Sequence, residues 1–147
     1  MGKHVIIPAV CLLLECDGKW FVGRRQNTGY CDGCLNMPAG HIDPDETPRE
    51  AAVREANEES GVQVAPEDIR FIHIQYNRNA EGRHDRTHYY FQIECCDQTP
   101  ENREPHKCSE TFWIPAGERL EEFVPFMRDA LTAVLEGRSY SEFYEQG

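Results

Sequence analysis

The sequence predicts one α+β or α/β domain spanning residues 1–147, a mixed set of strands with two helices. Three observations predict it. An apolar run, Val5 to Leu14, leads into an Asp17-Gly18 turn and a second apolar stretch. A helix with start and stop signals occupies 47–60, and a period-two segment follows near 87–96. Strands mixed with two helices in 147 residues suit a single core, large enough to bury roughly two-thirds of its unfolded surface.

Residues 4–15 and 19–25 read as two strands around Asp17-Gly18, a pair suited to a hairpin with positive φ at both positions. The first strand is too short, and too interrupted by Pro8, to span a bilayer. Leu14-Glu15-Cys16-Asp17 lacks the small residues of a signal-peptide cleavage site. Leu35 to Pro38 reads as extended. Thr47-Pro48-Arg49-Glu50 is a capping box with proline at the first helical position, and Gly61 stands past the end of that helix. Strands are expected near 69–76 and 87–96, joined by a polar loop, Asn77 to Arg86. In the second of these, Tyr89, Phe91, Ile93 and Cys95 alternate with His88, Tyr90, Gln92 and Glu94. A short strand at Phe112-Trp113-Ile114 precedes a last helix from about Pro125 to Glu136, stopped by Gly137.

Charge narrows the function classes. Lys and Arg number 15 against 26 Asp and Glu, a formal net charge of −11. No basic surface is available to release counterions from a nucleic acid polymer, or to hold an anionic membrane. The seven cysteines are an odd number for a closed disulfide framework, so reduced thiols and a cytoplasmic location are expected. Cys31-Asp32-Gly33-Cys34 has no second CxxC to complete a structural zinc site and leads into an extended segment, so it reads as a thiol-bearing loop.

The functional reading rests on GHIDPDETPREAAVREANEESGV, residues 40–62. On a helix, Glu55, Glu58 and Glu59 share one face while Ala52, Val53 and Ala56 hold the adjoining arc. Three carboxylates at i, i+3 and i+4 repel one another, and they stand in the half of the helix where its dipole disfavours anions. Such a face is either simply solvated or neutralised by a cation, and hard divalent ions take carboxylate oxygens while leaving positions for substrate phosphates. Arg54, beside Glu55, can hold a carboxylate through its planar fork.

This segment resembles the signature of the Nudix hydrolases, Gly-x5-Glu-x7-Arg-Glu-apolar-x-Glu-Glu-x-Gly-apolar. Gly40, Glu46, Arg54, Glu55, Ala56, Glu58, Glu59, Gly61 and Val62 fill it without departure. The resemblance implies an α/β/α sandwich with a mixed sheet. It implies hydrolysis of a nucleoside diphosphate linked to a further moiety, with Mg²⁺ or Mn²⁺ as cofactor. Glu55, Glu58 and Glu59 become the expected metal ligands, with Glu55 or Glu58 as general base, Arg54 orienting them and Glu46 supporting the loop. The carbonyl of Ala39 is an expected backbone ligand. Glu110 is the first candidate for a further acidic ligand from a later loop, with Glu104 behind it.

Marks that the family's subgroups carry outside the box are absent. The coenzyme-A and NADH patterns are missing, and Tyr76-Asn77-Arg78 places its tyrosine early for the diadenosine-polyphosphate group, with no proline for the ADP-ribose group. The remaining general group is MutT-like, acting on nucleoside or deoxynucleoside triphosphates and releasing a monophosphate and pyrophosphate. A nucleotide sugar or dinucleoside polyphosphate is the alternative substrate, and a non-catalytic nucleotide sensor the alternative role. Arg24, Arg78, Arg86 and Tyr76 are the expected substrate contacts, with Arg25 and Arg83 able to join them; Tyr30 or Trp113 would stack on a base, although Trp113 fits a core position better. The expected partner is a small nucleotide, with neither a nucleic acid polymer nor a membrane; many relatives dimerise, which leaves a homodimer open.

Overall fold

The structure, a computed structural model, describes residues 2–145. Its first two strands, β1 (Ile6–Cys16) and β2 (Lys19–Arg25), are joined by Asp17 and Gly18 at φ 52° and 74°. Two short strands, β3 (Leu35–Asn36) and β4 (Ala39–His41), lead to helix α1 (Pro48–Ser60). Then follow β5 (Arg70–Arg78), β6 (Asp85–Glu94), β7 (Cys108–Pro115), α2 (Pro125–Leu135) and β8 (Tyr140–Tyr144). Among the described residues no helix is long and apolar enough to cross a membrane.

All eight strands join one mixed sheet ordered β3-β2-β1-β6-β5-β8, with β4 also pairing β1 and β7 pairing β2. The parallel β1–β6 pair runs ten residues and forms the centre. β1 is continuously apolar because both its faces are covered. Val10, Leu12 and Leu14 pack with Phe91 and Ile93 under α1, against Ala51, Ala52 and Ala56. Cys11 and Leu13 pack on the other side with Trp20, Val22 and Tyr90 against Met127, Ala130 and Leu131 of α2. The result is the α/β/α sandwich.

β1 and β2 pair only beside their turn, through Glu15–Trp20 and Cys16–Lys19. Beyond it they splay. β4 takes the free edge of β1 at Ala9 to Cys11, and β3 takes β2 at Gly23 and Arg24. That splay opens a cleft beside α1.

Helix α1 has the predicted cap: the Thr47 hydroxyl accepts from the Glu50 N–H and the Glu50 carboxylate accepts from the Thr47 N–H. Gly61 ends it at φ 76°, where a left-handed residue lets the last carbonyls be capped.

Several expectations need correction. The strands around the 77–86 loop extend to Arg78 and from Asp85, so the loop is shorter than the sequence suggests. β8 was not anticipated; it pairs parallel to β5 and is tied by His73, which bonds the Arg138 carbonyl at 2.8 Å and the Ser141 hydroxyl at 2.7 Å. The thiols are not all reduced. Cys16 ends β1 and Cys96 lies just past β6, its parallel neighbour, which brings their Cα atoms to 4.9 Å and joins them in a disulfide. Cys11, Cys31, Cys34, Cys95 and Cys108 are free.

His88, on β6, is buried and stacked 4.5 Å from Phe126. Burial, helped by the charge of Arg86, pushes its pKa down to about 3. A histidine held neutral in the fold contributes stability above its unfolded pKa near 6.5 and loses it as the pH falls toward the folded value. Urea unfolding of His88→Phe beside the parent isolates this group, since every other titration cancels. Between pH 6.5 and 4.5 the variant gains on the parent by up to about 1.4 kcal/mol per pH unit; a constant difference across that range would contradict it.

Candidate active site

Arg54 organises the carboxylates of α1. Its Nη2 meets Glu46 Oε1 at 2.6 Å, its Nε meets Glu46 Oε2 at 3.1 Å, and its Nη1 reaches Glu55 at 2.8 Å and Glu58 at 3.2 Å. Nη2 also donates to the His41 carbonyl at 3.0 Å and lies 3.5 Å from Asp43. The forked pairing with Glu46 is the planar, two-point contact that a lysine could not supply. Glu46 in turn accepts from the Asp43 N–H at 2.8 Å, closing the turn in which Asp45 takes φ 69°. Arg54 therefore locks the helix to the loop before it, and its hydrogen bonds, joined by that of the Asp43 N–H, hold the Glu46 carboxyl below the ordinary range.

Glu55 is buried against Gly40 of β4. A Cβ on residue 40 would stand 2.1 Å from Glu55 Oε1, so only glycine lets the carboxylate lie across that strand. Burial raises the Glu55 pKa, and Arg54 opposes the rise. Glu58 is exposed on the helix flank.

Glu59 faces the cleft, a space of about 560 Å³ between β2, β3, β4 and the loop before β7. Met37, Ala39, Gly40 and His41 form one wall; Gly23, Arg25 and Thr111 form another. The third wall is the 102–108 loop, carrying Asn102, Glu104, Lys107 and Cys108. The loop is fastened over the end of α1. The Glu101 N–H donates to the Ser60 carbonyl at 2.9 Å, the Arg103 N–H to Glu59 at 3.4 Å, and the Arg103 guanidinium to Asn57 at 3.4 Å. No basic residue lies in the last turn of α1, so Arg103 supplies the cation that its dipole favours there.

This fastening sets Glu104 against Glu59. Burial first, then the hydrogen bond and charge of Glu104, push the Glu59 pKa up to about 8. Burial and a facing carboxylate both disfavour the charged form of Glu59. A hard divalent cation is the partner that such a donor set fits: oxygen ligands, surplus negative charge, and a glycine-lined wall that admits close approach. Among the described residues, the one group of three His, Cys, Asp or Glu ligand atoms all within 4.8 Å of one another is Cys16, Asp17 and Cys96, whose cysteines are joined in a disulfide and offer no thiolate.

The remaining expected site residues divide by strand face. Along β7, Thr111 lines the cleft, so Glu110 points to the opposite side, where it pairs with Arg24 at 3.2 Å. Glu110 is thus placed away from Glu59, and Glu104 takes the position expected of it. Arg24 shares that opposite face; it also bonds the Gly33 carbonyl at 2.9 Å and Glu122 at 3.4 Å. Its neighbour Arg25 lines the cleft instead. Tyr76 donates to Asp85 at 2.7 Å, and Arg78 lies over Tyr144 at 5.2 Å; neither borders the cleft. Arg86 and Arg83 line a neighbouring cavity with Tyr30. Trp113 packs edge-on against Phe21, its ring centroid 5.5 Å away. Gly23, Asn102, Lys107 and Cys108 were not anticipated. At Gly23 a Cβ would stand 2.7 Å from Cys108 Sγ, so glycine leaves room for that thiol.

The pattern of the NUDIX domain family matches residues 5–134. Over 139 residues the chain is 29% identical to the RNA pyrophosphohydrolase of Roseobacter denitrificans, covering 85% of this chain and 86% of that protein. It is 27% identical over 143 residues to the phosphatase NudJ of Escherichia coli K12, covering 93% and 86%. Its fold is similar to the ORF135 protein of E. coli, with TM-score 0.75, 23% identity and 92% and 93% of the two chains covered. A MutT protein from Methanosarcina mazei superposes with TM-score 0.74 at 20% identity, over 92% and 97%.

The raised pKa of Glu59 gives a test of the site. Carboxyl carbon NMR of the parent should show Glu59 titrating near 8. In Glu104→Gln that midpoint should fall by about a unit or more, because the facing charge is gone. A midpoint that does not move would remove Glu104 from the site.

Proposed function

The chain belongs to the NUDIX domain family, and from that premise we propose that it is a Mg²⁺- or Mn²⁺-dependent pyrophosphohydrolase of nucleoside or deoxynucleoside triphosphates. Its products are the monophosphate and pyrophosphate. The observation that carries this reading is the carboxylate set beside the cleft: Arg54 holds Glu55 and Glu58, and Glu59 and Glu104 line the cleft itself. An acidic cleft repels a polyphosphate unless a cation lies between them, which ties substrate and metal together.

Glu55, Glu58 and Glu59, with Glu104 and the carbonyl of Ala39, are the groups that would hold the ion. When bound, the ion neutralises charge on the phosphates and acidifies a coordinated water. Arg54 restrains Glu55 and Glu58, so little reorganisation is left for the reactive step. Arg25 and Lys107 present positive charge on the walls where a phosphate chain enters. Water attacks phosphorus, Glu55 or Glu58 takes its proton, and the P–O anhydride bond breaks with its electron pair leaving on pyrophosphate.

A second reading keeps the site and changes the substrate. The relatives bear the names of different activities, an RNA pyrophosphohydrolase and a phosphatase, which supports another nucleotide derivative, such as a nucleotide sugar or dinucleoside polyphosphate, as the runner-up. A sensor without turnover is disfavoured because every glutamate of the box is present. Release of nucleoside monophosphate from a panel of these compounds with Mg²⁺, with the second product identified, distinguishes the three. The Glu58→Gln, Glu59→Gln double variant should lose about a thousandfold or more in kcat, the scale expected when metal and charge stabilisation are both removed. Turnover at the parent rate would overturn the site, and tight binding of a panel member without turnover would favour the sensor.

A further inference from the structure

The 102–108 loop brings one carboxylate to the cleft, that of Glu104, and the ion pairs among the described residues leave it out. Arg54 orients Glu46, Glu55 and Glu58 by pairing with them, which neutralises part of their charge. Glu104 is held in another way, through its backbone.

Asn102 supplies that hold. Its Oδ1 accepts the Glu104 N–H at 3.2 Å, and its Nδ2 donates to the carbonyl of Cys108, the first residue of β7, at 2.9 Å. One planar carboxamide therefore ties the residue bearing the carboxylate to the strand that follows, across the mouth of the loop. Between these two points the Lys107 N–H donates to the Glu104 carbonyl at 2.9 Å and closes the turn. Asparagine offers an acceptor and a donor in one plane; aspartate has no donor, and alanine has neither. On the outer side Gln26 donates to the Pro105 carbonyl at 2.8 Å and Asn27 to the His106 carbonyl at 3.0 Å. Those two bonds are exposed, where water can replace either partner, whereas both bonds of Asn102 are partly buried. The neighbouring Arg103 guanidinium turns away to the Asn57 carbonyl and to Glu101, so its charge serves the end of α1. Asn102 thus fixes Glu104 with neutral contacts and leaves the negative charge of the carboxylate for an ion. Groups that orient a metal ligand set its affinity almost as strongly as the ligand itself.

We propose that Asn102 is a positioning residue for the divalent cation: its carboxamide fixes the 102–108 loop so that Glu104 faces Glu59, and it acts on the ion through Glu104 alone. This rests on the reading of Glu104 as one of the groups that hold the ion in the proposed hydrolase, but it is testable without turnover.

The experiment is a cycle of variants of the full chain, with Mn²⁺ binding read from the electron paramagnetic resonance signal of the free ion. Asn102→Ala should weaken binding about tenfold, and Glu104→Gln by at least as much. The double variant should bind no more weakly than Glu104→Gln, because removing the carboxylate removes what Asn102 positions. Hydrogen exchange at the Glu104 amide should speed up in Asn102→Ala. Asn102→Ser keeps an oxygen for the Glu104 N–H and should recover part of the affinity; its own cycle with Glu104→Gln carries the test if the alanine variant does not fold. Equal losses from Asn102→Ala in both backgrounds would mean that it acts through the fold at large, and would overturn the proposal. So would parent affinity in Asn102→Ala beside a weakened Glu104→Gln, and either result leaves the hydrolase reading standing. Parent affinity in Glu104→Gln would remove Glu104 from the ion and the proposal with it. The expected pattern of Mn²⁺ affinities without turnover of any nucleotide would instead count against the hydrolase reading alone.

Discussion

The confinement of negative charge around one guanidinium is the constraint on which this end of the molecule depends. Among the described residues Arg54 is the single cation within 3.5 Å of Asp43, Glu46, Glu55 and Glu58. Without it, the i, i+4 pairing of Glu58 with Arg54 and the anchoring of the loop by Glu46 are both lost. The helix would then carry adjacent carboxylates toward the end its dipole makes unfavourable. Arg103, arriving from another loop, relieves the same strain at the last turn. Glu59 has no such counterion on its own helix. It faces Glu104, and burial together with that carboxylate raises its pKa, which favours a cation or a proton beside it.

The sheet supplies the space in which this charge is useful. β1 and β2 separate beyond their turn, and β4 and β3 fill the two freed edges. Their separation exposes backbone to α1, and glycine at 23 and 40 keeps the walls thin where Cys108 and Glu55 press against them. The two cores lie on opposite faces of the sheet, so α1 and its carboxylates are fixed independently of α2. That arrangement supports the preorganisation that hydrolysis of an anhydride requires.

What the sequence disclosed was local. Spacing along one helix gave the shared face of Glu55, Glu58 and Glu59, and the Thr47–Glu50 cap gave its start. The sandwich was implied by resemblance, while its main strands and two helices were visible as an apolar run, an alternating segment and helix start and stop signals. What escaped depended on strand phase and long-range contact. Arg24 and Arg25 are equivalent in a sequence, but the pleat sends them to opposite sides. Glu110 and Glu104 differ in the same way, one fixed by the alternation of β7 and the other by a loop pinned to the end of α1. The Cys16–Cys96 bond requires knowing that β1 and β6 are parallel neighbours. β8 is short and carries alternate polar residues, so only its partner β5 and the His73–Ser141 contact identify it as part of the sheet.

The net charge of −11 thus divides into solvated surface and a small set of carboxylates that Arg54 alone does not neutralise. The central claim is that a divalent cation completes this set. Calorimetric titration of the protein with Mg²⁺ or Mn²⁺ at pH 7, repeated in buffers of different ionisation enthalpy, measures both uptake and proton release. Binding should release about one proton, that of the Glu59–Glu104 pair, and affinity should rise with pH toward 8. Binding with no proton released, or no binding at millimolar metal, would contradict the account.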